Sequence, residues 1–150
     1  MNYDYRAKKT VLVIASELAP GIAGNVIGHL ALAVGHRIAP ADMGRHPLTD
    51  ATGTHHMGIS RYPVIAVTVK SARLRKLLAE ARAVQGLLLA DYPEQMLNTG
   101  HDDELTTALA ASSEDSLRYL GVALHGDAEQ LRTLTGKFSL WGNDMTRAIA

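Results

Sequence analysis

The chain has 150 residues, 47% of them hydrophobic, which is enough for one domain with one proper core. Its 15 basic residues balance 15 acidic ones, so it has no overall positive charge with which to hold the phosphates of a nucleic acid. The absence of cysteine excludes disulfides, thiolate metal sites and cysteine nucleophiles.

The N-terminal region lacks the pattern of an export signal. Lys8 and Lys9 precede the apolar run VLVIA, but Ser16 and Glu17 interrupt this run before it reaches the roughly 7–15 residues that a signal peptide needs. No stretch approaches the ~20 apolar residues of a membrane span. We therefore expect a cytoplasmic protein without membrane contact.

The most informative stretch is the segment TVLVIASELAPGIAGNVIGHLAL. Val11–Ala15 is a short continuous apolar run, typical of a strand that is covered on both faces. Glu17 follows it, and Pro20 and Gly21 then open a helix that is predicted to reach about Val34. Because this helix has almost no polar face, we expect it to lie between the sheet and a further layer, such as a second subunit.

A polar, turn-rich region follows at residues 35–60, and Asp50–Gly53 is predicted to form the tip of a hairpin. The spacing of its histidines fits neither a helical i, i+4 pair nor a zinc-finger pattern. These histidines are His36, His46, His55 and His56. We expect a solvated hairpin and no metal site, with incidental capture of nickel or zinc as the alternative.

The next elements are a strand, a helix and a strand. Pro63–Lys70 is rich in β-branched residues and predicts a strand, and Ser71 is a plausible N-cap of the following helix. Apolar residues recur along this helix with helical spacing, at Leu74, Leu77, Leu78, Ala81 and Val84. Gly86 ends the helix, and the run GLLLADY begins a third strand that reaches Asp91.

The last third of the chain continues this alternation. Asp102–Ala111 predicts a short helix, Leu117–His125 a fourth strand, and Asp127 the cap of a final helix before Lys137–Trp141 completes the core. Strands that alternate with helices predict an α/β fold, a three-layer α/β/α sandwich. We expect one domain over residues 10–141, an N-terminal extension over 1–9 and a loosely held tail over 142–150.

Four segments of the chain resemble the family known as domain of unknown function 2000. They are Glu17–Leu32, His55–Ser60, Gly86–Tyr92 and Arg118–Trp141. That family is similar in turn to type II peptidyl-tRNA hydrolases, which share the acidic end of the first strand, the glycine-containing turn and a strand that ends in aspartate. The resemblance implies a mixed sheet of about four strands with the fourth strand antiparallel to its neighbours, and often a homodimer.

The chain departs from the hydrolase pattern at the residues that carry its chemistry. The hydrolases have a G-K-G-K run at the start of the helix and a glutamine one turn later, whereas this chain has Gly21–Asn25 and then Gly28. Their Gly-Arg-Thr-Gln-type loop is replaced by Tyr92–Gln95. Of the expected polar set only Asp91 carries over, with Glu17 as a conservative replacement, so hydrolysis of peptidyl-tRNA by the familiar machinery is not expected.

Glu17, Asn25, His29 and Asp91 form the most site-like group. Ligands of open α/β sheets bind beyond the carboxyl ends of strands, where Glu17 and Asp91 are predicted to meet in one cleft. Asn25 and His29 are four residues apart and share one helix face. A carboxylate near a histidine can perform acid–base chemistry. Alternatively, Asn25 satisfies the turn backbone and His29 is a hydrogen-bonded core residue.

Three weaker groups of candidates have simpler interpretations. Gly21 and the first amides of the helix could hold an anion, or they form only a tight strand-to-helix turn. None of the candidate serine nucleophiles lies in a recognised nucleophile motif, and these are Ser16, Ser60 and Ser139. The basic residues of the second helix are most simply a solvated face, so a nucleic-acid partner is not expected; they are Arg73, Arg75, Lys76 and Arg82.

Three functions remain open on this evidence. The first is a homodimeric protein that binds a small ligand or a partner through Glu17, Gly21, Asn25, His29 and Asp91. The second is a hydrolase with a rewired site, for which Asp91 is the best catalytic candidate. The third is a structural or interaction module built on the apolar first helix. None of the three requires a cofactor.

Overall fold

A five-stranded mixed sheet forms the centre of the computed structural model, which describes residues 2–142. The strands of this sheet are β1 (Lys8–Ala15), β4 (Val64–Val69), β5 (Leu88–Pro93), β6 (Tyr119–Asp127) and β7 (Ser139–Leu140). Their order is β5-β6-β1-β4-β7. β1 and β4 are parallel, whereas β6 is antiparallel to both β1 and β5, as expected for the fourth strand. The fifth strand, β7, is an addition to the expected four, because a two-residue strand has no hydrophobic period to recognise.

Helices cover both faces of this sheet. They are α1 (Pro20–Arg37), α2 (Ser71–Arg82), α3 (Gln95–Asn98), α4 (Asp102–Ala110) and α5 (Ala128–Thr135). Side chains of β1 alternate between two cores. Val11 and Val13 belong to the core beneath α2 and α5, whereas Leu12 and Ile14 belong to the core beneath α1. The continuous apolar run of β1 therefore reflects burial on both faces, and the three layers are present as expected.

Gly121 of β6 lets α1 pack closely on the sheet. A Cβ atom at this position would lie 2.7 Å from Cγ1 of Val26 and 2.9 Å from Cδ1 of Leu30, which is closer than carbon atoms can approach. Both of these α1 side chains are almost fully buried. The absence of a side chain at Gly121 thus sets the height of α1 above the sheet.

The predicted hairpin is formed by β2 (Leu48–Thr49) and β3 (His55–His56), which pair antiparallel. The carboxylate of Asp50 accepts hydrogen bonds from the backbone N–H groups of Thr52 and Thr54. Gly53 has a φ of +89°, in the region that favours glycine. Both strand histidines are exposed, in agreement with a solvated hairpin.

The C-terminal part of the domain differs from the expectation. Trp141 was expected in the core, but it is 38% exposed, because it follows the short edge strand β7 and α1 does not cover this part of the sheet. Of the predicted tail, residues 143–150 lie outside the described residues. Within residues 2–142, no helix is long and apolar enough to cross a membrane.

A buried polar network ties the loop after α1 to the sheet. Nζ of Lys8 donates to the Asp42 carboxylate at 3.0 Å and 3.1 Å. Nε2 of His125 lies 3.2 Å from the same carboxylate, and Nδ1 lies 2.8 Å from Oγ1 of Thr10. The carboxylate can only accept, so Nε2 carries a proton. Asp42, His125 and Thr10 are all buried.

We predict that Asp42→Ala lowers the free energy of unfolding by about 2–3 kcal/mol, because it leaves the buried His125 and the Lys8 ammonium without their acceptor. Burial alone would raise the pKa of Asp42, but the hydrogen bonds from Lys8 and His125 hold it below its usual value. The stabilisation is therefore complete above the pKa of an unfolded aspartate, about 3.9. It is lost as the pH falls through the lower pKa of the folded group.

Urea denaturation of the wild type and the variant at neutral and acidic pH measures this difference. The exposed carboxylate control Asp4→Ala should change the free energy of unfolding by less than about 0.5 kcal/mol. An Asp42→Ala variant as stable as the wild type at neutral pH would contradict a stabilising network.

Candidate functional site

A cavity of about 570 Å³ opens between α1 and the α3–α4 segment, beside the edge strand β5. This volume lies within the range of small-molecule sites, which is about 300–1,000 Å³. Its lining combines apolar and polar side chains. The lining residues on α1 and β5 are Asn25, His29, Leu30, Ala33, Asp91 and Tyr92, and those on the α3–α4 segment are Met96, Leu97, Thr99, Gly100, His101, Asp102 and Leu105.

The first wall of this cavity is one side of α1 together with the end of β5. Asn25, His29 and Ala33 recur every four residues, so they lie on the same side of the helix. The hydroxyl of Tyr92 donates to Oδ1 of Asn25 at 3.0 Å, and the rings of Tyr92 and His29 lie 6.1 Å apart. Burial raises the pKa of the Tyr92 phenol above its usual value, so the hydroxyl remains a donor at neutral pH.

The second wall is the segment between β5 and β6. Thr99 donates its hydroxyl proton to the carbonyl of Gln95, and the Glu104 carboxylate accepts the N–H of Gly100, so these contacts fix the turn before α4. This turn presents His101 and Asp102 to the cavity. Leu105, in the first half of α4, adds apolar surface.

Backbone and side-chain contacts close the base of this segment. The N–H of Glu94 donates to the carbonyl of Arg118 at 2.8 Å, and the side chains of the two residues form an ion pair at 3.4 Å. The chain therefore leaves the sheet at the end of β5 and returns to it at the start of β6 through one fixed point. The second wall is thus held at its root against the sheet.

Several polar groups of the cavity have no hydrogen-bond partner within residues 2–142. They are the amide nitrogen of Asn25, the imidazole of His101 and the carboxylate of Asp102. The imidazole of His29, whose ring centroid lies 6.1 Å from that of Tyr92, forms no hydrogen bond in that part of the chain either. These donors and acceptors remain available to a bound molecule.

Asp91 borders the cavity, but its carboxylate belongs to the opposite face of the sheet. Leu88, Ala90 and Tyr92 pack with the core beneath α1, whereas Leu89 packs with the core beneath α2. Because side chains alternate along a strand, Asp91 is on the same side as Leu89.

The surroundings of the Asp91 carboxylate agree with this placement. Oδ2 of Asp91 lies 3.6 Å from Nη2 of Arg82, at the end of α2. Burial is the main cause that raises the pKa of Asp91, with a smaller rise from the Glu114 charge, and the Arg82 guanidinium opposes both. Asp91 is thus part of an ion-pair cluster and not a partner of Asn25 and His29.

Glu17 caps α2 and does not line the cavity. Its two carboxylate oxygens accept the N–H of Ser71, the first residue of α2, at 3.0 Å and 3.1 Å, and Arg118 lies 3.9 Å away. Burial would raise the pKa of Glu17, but the Ser71 hydrogen bonds hold it below its usual value. Glu17 lies at the start of α2, whereas Asp91 contacts Arg82, the last residue of that helix. The expectation of one common cleft for the two carboxylates is therefore wrong.

The remaining sequence candidates also lie outside the cavity. Gly21 lies in the first turn of α1 and does not line it, and a Cβ atom at this position would meet no atom within 4 Å. Ser16 donates to Glu17, and Ser60 donates to the carbonyl of Tyr62. Ser139 is exposed on β7.

The hairpin histidines and the basic residues of α2 form hydrogen bonds or ion pairs with neighbouring side chains. His55 and His56 lie beside Thr49 and Asp50. Within residues 2–142 there is no group of three side chains that could hold a metal ion. The basic residues of α2 form ion pairs with Glu80, Asp91 and Glu114, and they are Arg73, Arg75, Lys76 and Arg82.

Sequence reasoning missed Tyr92, His101 and Asp102. For Tyr92 a signal existed, because a residue next to Asp91 in a strand must face the other side of the sheet. His101 and Asp102 come from the connection between β5 and β6, whose path no periodic pattern fixes.

The architecture and the cavity define a three-layer α/β protein with a site of ligand size. Residues 8–142 match the family described as protein of unknown function (DUF2000), and the chain belongs to this family. A solved structure of a protein of unknown function from Agrobacterium tumefaciens is similar over 89% of this chain and 97% of that one, with a TM-score of 0.78 and 22% identity. This similarity shows the fold alone. No curated protein matches the chain.

We predict that Glu17→Ala lowers the free energy of unfolding by about 1 kcal/mol, because α2 loses the acceptor of its first N–H group. Glu17→Gln, which retains a carbonyl oxygen, should lose less. Urea denaturation measures both changes. If Glu17→Ala unfolded at the same urea concentration as the wild type, the capping role would be excluded.

Proposed function

We propose that the protein binds a small organic molecule in the cavity between α1 and α4. The single observation that carries this proposal is the convergence of Asn25, His29 and Tyr92 on a cavity of about 570 Å³ whose surface is partly apolar. Sites for small molecules combine such a concave apolar surface with a few fixed polar groups. The side chain of Tyr92 and the height of α1 are set by the sheet, so the first wall is already formed.

We also propose a relationship of this fold to that of type II peptidyl-tRNA hydrolases. The mixed sheet with β6 antiparallel to β1 and β5 supports it. The activity of those enzymes is not part of the proposal. Within the described residues the lining contains neither lysine nor arginine, so it offers no cation to a tRNA phosphate.

A hydrolase with Asp91 as its catalytic group is the less favoured function. The Asp91 carboxylate lies beside Arg82 on the face opposite Asn25 and His29. A substrate in the cavity would therefore be separated from this carboxylate by the sheet.

We further propose that the protein forms a homodimer through the outer side of α1. The segment Pro20–Gly35 carries no Asp, Glu, Lys or Arg, and Leu32 on its outer side is 74% exposed. On the same side of the sheet, Val64 is 54% exposed, because α1 packs mainly on β1, β5 and β6 and covers little of β4. A helix that is apolar all round is normally buried, and a second copy supplies a self-complementary apolar surface without charge repulsion.

We predict that Ala33→Leu weakens binding of the small molecules that the wild type binds, because the larger side chain projects into the cavity. A fragment library screened by ligand-observed NMR measures this. Ala79→Leu makes the same change at an exposed position on α2 and should have no effect. The proposal fails if no fragment binds, or if Ala33→Leu binds fragments as well as the wild type does.

We predict that the wild type has twice the 16.1 kDa mass of the chain in solution, and that Leu32→Glu converts it to a monomer. A carboxylate in an apolar interface loses its hydration without gaining a partner. Light scattering at micromolar concentration measures the mass, and Ala79→Glu is the matched charge control. A monomeric wild type excludes the proposed interface.

A further inference from the structure

The lining of the cavity includes acidic residues and, within residues 2–142, no side chain of lysine or arginine. The acidic residues are Asp91 and Asp102. The Asp91 carboxylate is paired with Arg82 on the other face of the sheet. Asp102 therefore supplies the negative charge that borders the cavity. A second opening, lined by Gly100, His101, Asp102 and Asp103, adjoins it at the start of α4.

The first turn of α4 is strongly acidic. Its first three residues are Asp102, Asp103 and Glu104. The N-terminus of a helix is equivalent to roughly +0.5 of an elementary charge. Glu104 satisfies the N–H of Gly100 at 2.9 Å, whereas Asp102 and Asp103 form no ion pair within the described part of the chain. The mouth of the cavity therefore keeps a net negative charge.

Apolar side chains line the cavity beside this charge. Leu30, Met96 and Leu105 form an apolar surface. The phenol oxygen of Tyr92 donates its proton to Asn25 and keeps lone pairs that can accept a hydrogen bond. A molecule that matches both the apolar surface and the negative charge has an apolar body and a positively charged donor at one end.

We infer that the cavity binds an amphipathic organic amine, with its ammonium group beside Asp102 and its apolar part against Leu30, Met96 and Leu105. This inference rests on the proposed function and names the chemical class of the ligand. The Asp102 carboxylate attracts an ammonium group, whereas it repels an anion of the same shape.

Three molecules of similar size separate shape from charge: 2-phenylethylamine, 2-phenylethanol and 3-phenylpropionate. Titration calorimetry at neutral pH and low salt gives the dissociation constant of each. We expect the amine to bind about ten-fold more tightly than the carboxylate, with the alcohol between them. Higher salt should reduce this difference, since the mouth is open to solvent.

Asp102→Asn should bring the three dissociation constants together, and Asp4→Asn, which removes the same charge far along the chain, should leave their order unchanged. If the alcohol or the carboxylate binds as tightly as the amine and Ala33→Leu weakens that binding, the cavity is a ligand site but the inference on charge is wrong. If none of the three binds while other fragments do, the amine class is excluded. If no fragment of any kind binds, the proposed function fails as well.

Discussion

The alternation of side chains across a sheet that is covered on both faces is the constraint on which the rest of this structure depends. In β1 it divides a continuous apolar run between two cores, with Val13 on one side and Ile14 on the other. In β5 it divides polar neighbours in the same way. Asp91 joins Arg82 on the α2 side, whereas Tyr92 joins Asn25 on the α1 side. One strand thus supplies an ion-pair cluster on one face and part of the cavity wall on the other.

The second determinant of the site is the close contact between α1 and β6. Gly121 leaves room for Val26 and Leu30, and both side chains fill it. A helix seated so closely cannot rotate without breaking its core contacts. Asn25 and His29 on the same helix are therefore held at a fixed position relative to Tyr92. The chemistry of the cavity depends in this way on a residue that has no side chain.

The sequence predicted the layers better than it predicted the site. Strongly periodic segments, such as the leucines of α2, report directly on burial, and the family resemblance implied the antiparallel direction of β6. Asn25 and His29 were found because four-residue spacing places them on one side of a helix. Glu17 was misread because its role depends on the start of α2, which is 54 residues away along the chain. His125 was missed because its partners Asp42 and Thr10 come from other segments, 83 and 115 residues away.

The connection between β5 and β6 separates one wall of the cavity from the framework of the sheet. Antiparallel neighbours can be joined by a turn of two residues, yet here the chain makes a long excursion that begins at Glu94 and ends at Arg118, where the two residues are bonded to each other. The sheet and α1 supply one wall of the cavity, and this excursion supplies the other. Replacement of the excursion would exchange the second wall while the paired strands at its root stay in place. A change in the excursion would therefore alter the shape and charge of the cavity at little cost to the stability of the framework.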